Sequence, residues 1–211
     1  MAKDKQIILT KTARQLNLRC PAARGLPALW LVTDTLRLPD PLAAAARLPR
    51  GSGVLFRHYD HPMRAALAGR LAALCRRRGL LLVVAGDERL ASHVRATGLH
   101  LPEARMAEAA GRPARGGGLI TAAAHSRAAV ARAARFGFDA VFLSPVFATQ
   151  SHPGETGLGT AGFARIARGA PLAVYALGGI TAANADALTG SGAAGLAAIG
   201  AFYERIKYRS T

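Results

Sequence analysis

The stretch PLAVYALGGITAANADAL, residues 171–188, contains one complete unit of the fold. Its first seven residues are apolar without the alternation of a half-exposed strand, which is typical of a parallel strand covered on both faces. Gly178 and Gly179 then turn the chain. Thr181 stands at the position of a helix cap, and the Ala-rich segment after it predicts a helix near 181–189. The stretch therefore predicts a strand, a turn and a returning helix.

The same unit recurs along the chain, with apolar runs that predict strands and Ala/Arg-rich segments that predict helices. The predicted strands are 28–34, 53–60, 79–86, 98–103, 118–125, 140–147, 171–177 and 195–202. The predicted helices lie near 38–48, 62–77, 87–96, 104–110, 126–136, 160–168 and 181–189. Eight such regular units favour one α/β domain, a compact (β/α)8 TIM barrel, over a doubly wound open sheet.

The chain divides into a basic N-terminal extension (1–27), the barrel (28–203) and a short C-terminal tail (204–211). Residues 1–24 contain six Lys or Arg and one acid, and they lack the apolar core of a signal peptide. No charge-free apolar run is long enough to predict a transmembrane span. Cys20 and Cys75 fit neither a disulfide framework nor a metal-ligand spacing. We therefore expect a cytoplasmic protein without a membrane partner.

The net charge of +16, from 28 Lys+Arg against 12 Asp+Glu, favours partners that carry phosphate. The arginines are spread along the chain, and no basic segment alternates with aromatic residues as a nucleic-acid platform would. The charge is therefore better explained by a sequence-wide bias towards Arg than by one binding surface, and nucleic acid is not expected as a partner. Whether the protein forms a homo-oligomer stays open.

Polar residues gather where the predicted strands end, which is where TIM barrels place their active sites. Of these, His125 ends the fifth strand, and an imidazole there suits proton transfer. His100 lies inside an apolar strand and fits a buried core histidine as well as a functional one. The other histidines have no metal-ligand spacing, so no zinc site is predicted.

The Gly178–Gly179 pair at the end of the seventh strand is a candidate anion site. Glycines followed by a helix cap expose backbone N–H groups, and barrels commonly bind phosphate beyond strands seven and eight. Gly200–Ala201, after the eighth strand, would complete it. The alternative is that Gly178–Gly179 only turns the chain.

Six motifs, in order, carry a family resemblance. They are LWLVTD (29–34), GLHL (98–101), AAHS (123–126), SPVFATQSHPG (144–154), ALGGI (176–180) and GAAGLAAIGAF (192–202). Together they cover about residues 28–202. The chain resembles the thiamin phosphate synthase/thiazole tautomerase (TenI-type) family of TIM barrels. The resemblance implies that eight residues surround a thiazole phosphate: Ser126, Thr149, Ser151, His152, Gly178, Gly179, Gly200 and Ala201.

The family implies two reactions. Its synthases use Mg²⁺ to ionise a pyrimidine pyrophosphate and join it to thiazole phosphate, whereas its tautomerases move protons without a metal. Of the Gln-x-Arg-x-Lys pattern on the second strand, only Arg57 remains. Asp87 keeps one carboxylate of a synthase Asn-Asp pair, and Arg105 stands at the position of the second metal-binding Asp. The loop lysine after the sixth strand is His152.

These departures favour a tautomerase-like enzyme that needs no cofactor or metal, with His125, Arg57 and Asp87 as catalytic candidates. One alternative is a Mg²⁺-dependent thiamin phosphate synthase, in which Asp87 would bind the metal. The other is a barrel that binds a phosphate ligand without catalysis or serves regulation.

Overall fold

The computed structural model describes residues 2–109, 118–149 and 156–199. Within these ranges, the strands are β1 (Leu29–Val32), β2 (Gly53–Phe56), β3 (Leu81–Ala85), β4 (Gly98–Leu101), β5 (Leu119–Ala124), β6 (Ala140–Leu143), β7 (Ala173–Ala176) and β8 (Gly195–Ala198). The α-helices are α1 (Ala2–Leu18), α2 (Pro41–Ala46), α3 (Arg64–Arg78), α4 (Glu88–His93), α5 (Arg127–Arg135) and α6 (Gly159–Ala167). Short 3-10 helices cover Pro21–Ala23, Glu103–Ala109 and Ala185–Leu188. None of the described helices has the length and apolarity needed to cross a membrane.

The eight strands form a closed parallel barrel in chain order. Each strand pairs with the next, and the ring closes where Leu31 of β1 pairs with Ala198 of β8. The prediction of a single (β/α)8 barrel is therefore confirmed. Because all strands are parallel, the residues that follow them lie at one end of the barrel.

The barrel interior is filled by aromatic side chains. Trp30, Phe142 and Tyr175 are fully buried, and their ring centroids lie 5.3–5.9 Å apart. The Tyr175 hydroxyl donates a hydrogen bond to the carbonyl of Pro27 at 2.7 Å. Gly53 makes room for Trp30, since a Cβ atom at residue 53 would lie 2.2 Å from the indole ring. This interior is a packed core, as the fold requires.

Helix α1 covers the outer face of the barrel where β8 meets β1. Its residues Leu9, Ala13 and Leu16 are buried against those strands and the 3-10 helix Ala185–Leu188. Thr12 bonds the Asp186 carboxylate, and the Asn17 amide donates to the Ala194 carbonyl at 3.0 Å. Most of the predicted N-terminal extension (1–27) is therefore a helix that packs against the barrel.

Two predicted helices differ from the structure. The segment near 104–110 is the 3-10 helix Glu103–Ala109, and that near 181–189 is reduced to Ala185–Leu188. The prediction that Thr181 caps a helix is wrong. Its own N–H instead donates to the Asn184 side chain at 2.8 Å, while the Asn184 amide donates to the Gly179 carbonyl. The predicted helix near 126–136 is α5, and Ser126 caps it, because its hydroxyl accepts from the Ala129 N–H at 3.1 Å.

Candidate active site

Arg57 lies at the carboxyl end of β2, where it is held by Asp34 at the end of β1. The guanidinium Nη2 donates to Asp34 Oδ2 at 2.9 Å, and Arg37 donates to the same oxygen at 2.7 Å. Burial acts to raise the pKa of Asp34, but hydrogen bonds from Arg37 and Arg57 outweigh it and hold the pKa far below its usual range. Asp34 is therefore ionised, and it fixes Arg57 at the barrel mouth with 31% of its side chain exposed.

His58, next to Arg57, is buried and serves the structure. Its Nδ1 lies 2.8 Å from the Thr33 hydroxyl, which also accepts from the Arg57 N–H. Its ring stacks on Phe56, with the two ring centroids 5.3 Å apart. Burial lowers the pKa of His58, so the imidazole is neutral at pH 7 and ties the β1–α2 loop to β2.

His100 is a core histidine, which decides between the two interpretations that its sequence position allowed. The ring is 3% exposed on β4, with Nδ1 3.0 Å from the Thr121 hydroxyl and an edge contact to Phe142. Burial lowers its pKa to about 3. Because the His100 ring is buried and hydrogen-bonded to Thr121, its role is structural, within the barrel interior.

Asp87 follows β3, and both of its carboxylate oxygens are engaged. Oδ1 caps α4 by accepting from the Leu90 N–H at 2.9 Å, and Oδ2 pairs with Arg64 Nη1 at 2.9 Å. Arg64 reaches this carboxylate from α3 and also donates to the Ala85 carbonyl at 2.7 Å. No sequence pattern linked Arg64 to Asp87, which stands 23 positions away.

Arg105 contacts Gly86, the residue before Asp87. The family resemblance places a second metal-binding carboxylate at the position of Arg105. Its Nη1 donates to the Gly86 carbonyl at 2.8 Å, and its other nitrogens pair with Glu108. Mg²⁺ requires several hard oxygen ligands, and nearby guanidinium charges repel it. Within the described ranges, no three His, Cys, Asp or Glu side chains come close enough together to hold a metal ion. These residues do not fit a Mg²⁺ site.

His125 stands at the end of β5, bound to Glu103 from the end of β4. One carboxylate oxygen, Glu103 Oε2, lies 2.9 Å from both the backbone nitrogen and the ring Nδ1 of His125. The other oxygen accepts from Arg132 of α5 at 3.0 Å. Partial burial acts to raise the pKa of Glu103, but the hydrogen bonds from His125 and Arg132 outweigh it and lower that pKa. Sequence reasoning missed Glu103 and Arg132 as partners of His125.

The loop after β6 packs onto the end of β7 through the two glycines. The N–H groups of Val146 and Phe147 donate to the carbonyls of Leu177 and Gly178 at 3.0 and 3.1 Å. Gly178 and Gly179 have φ values of +94° and +65°, and a Cβ at residue 179 would lie 2.6 Å from the Ala148 carbonyl oxygen. The pair is therefore required for this close approach as well as for the turn.

The predicted phosphate residues are only partly covered by the structure. Ser126, Thr149, Gly178 and Gly179 follow β5, β6 and β7 at the mouth of the barrel. Ser151, His152, Gly200 and Ala201 lie outside the described residues. Ser126 uses its hydroxyl as the cap of α5. Their assignment to a phosphate site stays a prediction.

Comparison with known proteins identifies the family. The sequence profile described as thiamine monophosphate synthase matches residues 30–202, nearly the whole barrel. The chain belongs to the thiamine monophosphate synthase family. This is an enzyme family of thiamin biosynthesis, and the resemblance drawn from the six motifs is thereby confirmed.

Two curated members of the thiamine monophosphate synthase family are similar to this chain over most of their length. The thiamine-phosphate synthase of Thiobacillus denitrificans is 37% identical over 150 residues, which cover 69% of this chain and 70% of that protein. That of Methylobacillus flagellatus is 35% identical over 189 residues, or 87% and 89% of the two chains. Among solved structures, thiamine phosphate pyrophosphorylase from Pyrococcus furiosus superposes with a TM-score of 0.69 at 24% identity, covering 84% of this chain and 87% of that one. This last likeness supports the fold.

Proposed function

We propose that this protein is a thiamin-biosynthesis enzyme that acts on a thiazole phosphate, with the coupling of that thiazole to a pyrimidine as the first candidate reaction. Its curated relatives favour coupling over the tautomerase interpretation, since those of Thiobacillus denitrificans and Methylobacillus flagellatus are named thiamine-phosphate synthase. The phosphate would lie against Gly178 and Gly179, with Thr149 from the loop above them.

Arg57 is the residue at the carboxyl end of β2 that would serve this coupling. Loss of pyrophosphate builds negative charge on the leaving group, and a fixed guanidinium stabilises such charge. Asp34 holds Arg57 in place at the mouth of the barrel. Because Asp87 is paired with Arg64 and Arg105 stands beside it, we derive no step through a metal.

A second candidate, tautomerisation of the thiazole, is favoured by the arrangement at His125. This imidazole lies at the end of β5 with a carboxylate on its Nδ1, which is a general-base arrangement. Moving a proton between ring atoms of a thiazole requires such a base and no leaving-group charge.

One experiment separates these reactions. The purified protein is incubated with pyrimidine pyrophosphate and thiazole phosphate, and separately with the non-aromatic thiazole tautomer, each in Mg²⁺ and in EDTA, and products are identified by mass spectrometry. We expect thiamin phosphate to form in EDTA and to be lost in Arg57→Met. Aromatised thiazole alone would establish the tautomerase. Thiamin phosphate that requires Mg²⁺ and disappears in Asp87→Ala would contradict the poor fit of the metal. Phosphate binding without any product would favour the non-catalytic barrel.

A further inference from the structure

Glu103 contacts both the backbone nitrogen and the ring Nδ1 of His125 through one carboxylate oxygen. We propose that Glu103 is a positioning residue, which holds the His125 imidazole in the tautomer with its proton on Nδ1 and so makes Nε2 the nitrogen that accepts protons. The inference rests on the proposed function only where it gives His125 a proton-transfer role. The tautomer itself can be measured without any turnover.

The geometry specifies both the position and the orientation of the ring. Glu103 Oε2 lies 2.9 Å from the His125 backbone nitrogen and 2.9 Å from its Nδ1. The backbone contact fixes where the residue stands relative to the carboxylate. The side-chain contact then selects the rotation of the ring that points Nδ1 at the same oxygen. Since a carboxylate only accepts hydrogen bonds, Nδ1 must be the donor. In the neutral imidazole, the lone pair is then on Nε2.

Glu103 is itself held in place. Its second oxygen accepts from Arg132 Nη2 at 3.0 Å, and Arg132 lies on α5, the helix that begins two residues after His125. The hydrogen bonds from His125 and Arg132 keep the pKa of Glu103 below its usual range, so the carboxylate is charged at pH 7. Arg132, Glu103 and His125 therefore form a chain that spans the ends of β4 and β5.

This chain contributes little to folding, which makes it testable by substitution. The side chains of His125, Glu103 and Arg132 are 48%, 26% and 41% exposed, and contacts between partly exposed charges are worth about 0–1 kcal/mol. Substitutions at Glu103 should leave the barrel folded. A loss of function in them then has to come from the imidazole.

The direct test is the tautomer of His125 in ¹⁵N-histidine-labelled protein at pH 8, read from long-range ¹H–¹⁵N correlations. The His125 signals are identified by their absence in His125→Asn. We expect the Nδ1–H tautomer in the wild type, and a shift towards the Nε2–H tautomer in Glu103→Ala. Glu103→Gln, whose amide oxygen can still accept from Nδ1, should restore much of the wild-type pattern. Arg135→Met, on the exposed side of α5, is the matched control and should change nothing.

Turnover gives a second measurement on the same proteins. In the proton-transfer reaction, Glu103→Ala should lower kcat about 10-fold or more, because the wrong tautomer cannot act as the base. KM for the thiazole phosphate should stay within about twofold, since Glu103 does not belong to the phosphate site.

The results separate the inference from the proposed function. An Nε2–H tautomer in the wild type, or an unchanged tautomer in Glu103→Ala, would overturn the positioning role even in an active enzyme. The expected tautomer change in a protein without turnover would support the positioning role and reject the proposed function.

Discussion

His125 and Asp87 are both polar residues that follow a strand, yet the structure gives them opposite surroundings. One carboxylate oxygen of Asp87 caps helix α4, and the other is paired with Arg64, whose positive charge neutralises the carboxylate. His125 is paired through Nδ1 and has 48% of its side chain exposed at the barrel mouth. A base that is to meet a ligand needs such access. We therefore propose His125 for proton transfer, and we propose a structural role for Asp87.

Replacing His125 with Asn tests this assignment. Asn keeps a polar side chain of similar length but cannot act as a base near neutral pH. We expect thiazole aromatisation to slow by about 10²–10⁴-fold, the range of a positioned general base. Binding of thiazole phosphate, measured by calorimetry, should stay unchanged. Loss of binding together with turnover would mean that His125 supports the site rather than the chemistry.

The choice of these residues from sequence depended on where strands end. That rule located His125, Arg57 and Asp87, because the ends of parallel strands are visible as the limits of apolar runs. It could not locate Glu103 as the partner of His125 or Arg64 as the partner of Asp87. Those pairs are 22 and 23 positions apart, and only the barrel topology brings them together.

Among the elements, the strands were easier to predict than the helical segments that connect one strand to the next. Each strand is a continuous apolar run between turn residues, so its place followed from composition alone. The segment after β7 was predicted as an α-helix on its alanines. Asn184 instead bonds both Gly179 and Thr181, which leaves a single 3-10 turn, Ala185–Leu188. Side-chain bonds of this kind override helix propensity.

Because the β6–α6 loop contacts the end of β7, we expect any side chain at residue 179 to destabilise the folded protein. Gly179→Ala would place Cβ 2.6 Å from the Ala148 carbonyl oxygen, in addition to the strain of a positive φ. We expect a loss of about 2–4 kcal/mol in the free energy of unfolding by urea. Affinity for inorganic phosphate should fall several-fold, because the loop above the glycines is displaced.

Gly190→Ala is the matched control for this substitution. Residue 190 also has a positive φ, +75°, but a Cβ there would meet nothing within 4 Å. It should show the strain alone, about 1–2 kcal/mol, with unchanged phosphate affinity. An equal loss of unfolding free energy in the two variants would show that the close contact at Gly179 does not contribute to stability. Unchanged phosphate affinity in Gly179→Ala would place the anion elsewhere.

At the scale of the whole molecule, the fold buries two neutral histidines, His58 after the end of β2 and His100 inside the barrel. Both have folded-state pKa values below the value of about 6.5 for an unfolded chain, and His100 has one of about 3. Between those values, the unfolded chain binds protons that the folded protein does not. Their contribution is therefore fully present above pH 6.5, and stability falls as the pH decreases below it.

We expect the free energy of unfolding to be lower by about 1–3 kcal/mol at pH 5 than at pH 7. The paired carboxylates Asp34 and Glu103 lose their contributions at lower pH, since their pKa values are lowered from about 4. Urea titrations of His100→Asn should show a smaller pH dependence, whereas His93→Gln, an exposed histidine on α4, should match the wild type. If the free energy of unfolding of His100→Asn depends on pH as strongly as that of the wild type, groups other than His100 cause the loss of stability in acid.

Helix α1 has a consequence for how the protein is made. Its buried residues Leu9, Ala13 and Leu16 pack against β8, and Asn17 bonds a carbonyl 177 positions later in the chain. During synthesis α1 leaves the ribosome long before β8, so the part of its apolar side that packs on β8 stays uncovered while the residues between them are translated. Barrel closure, full burial of the helix and pairing of β1 with β8 all require β8, so each of them follows the translation of that strand.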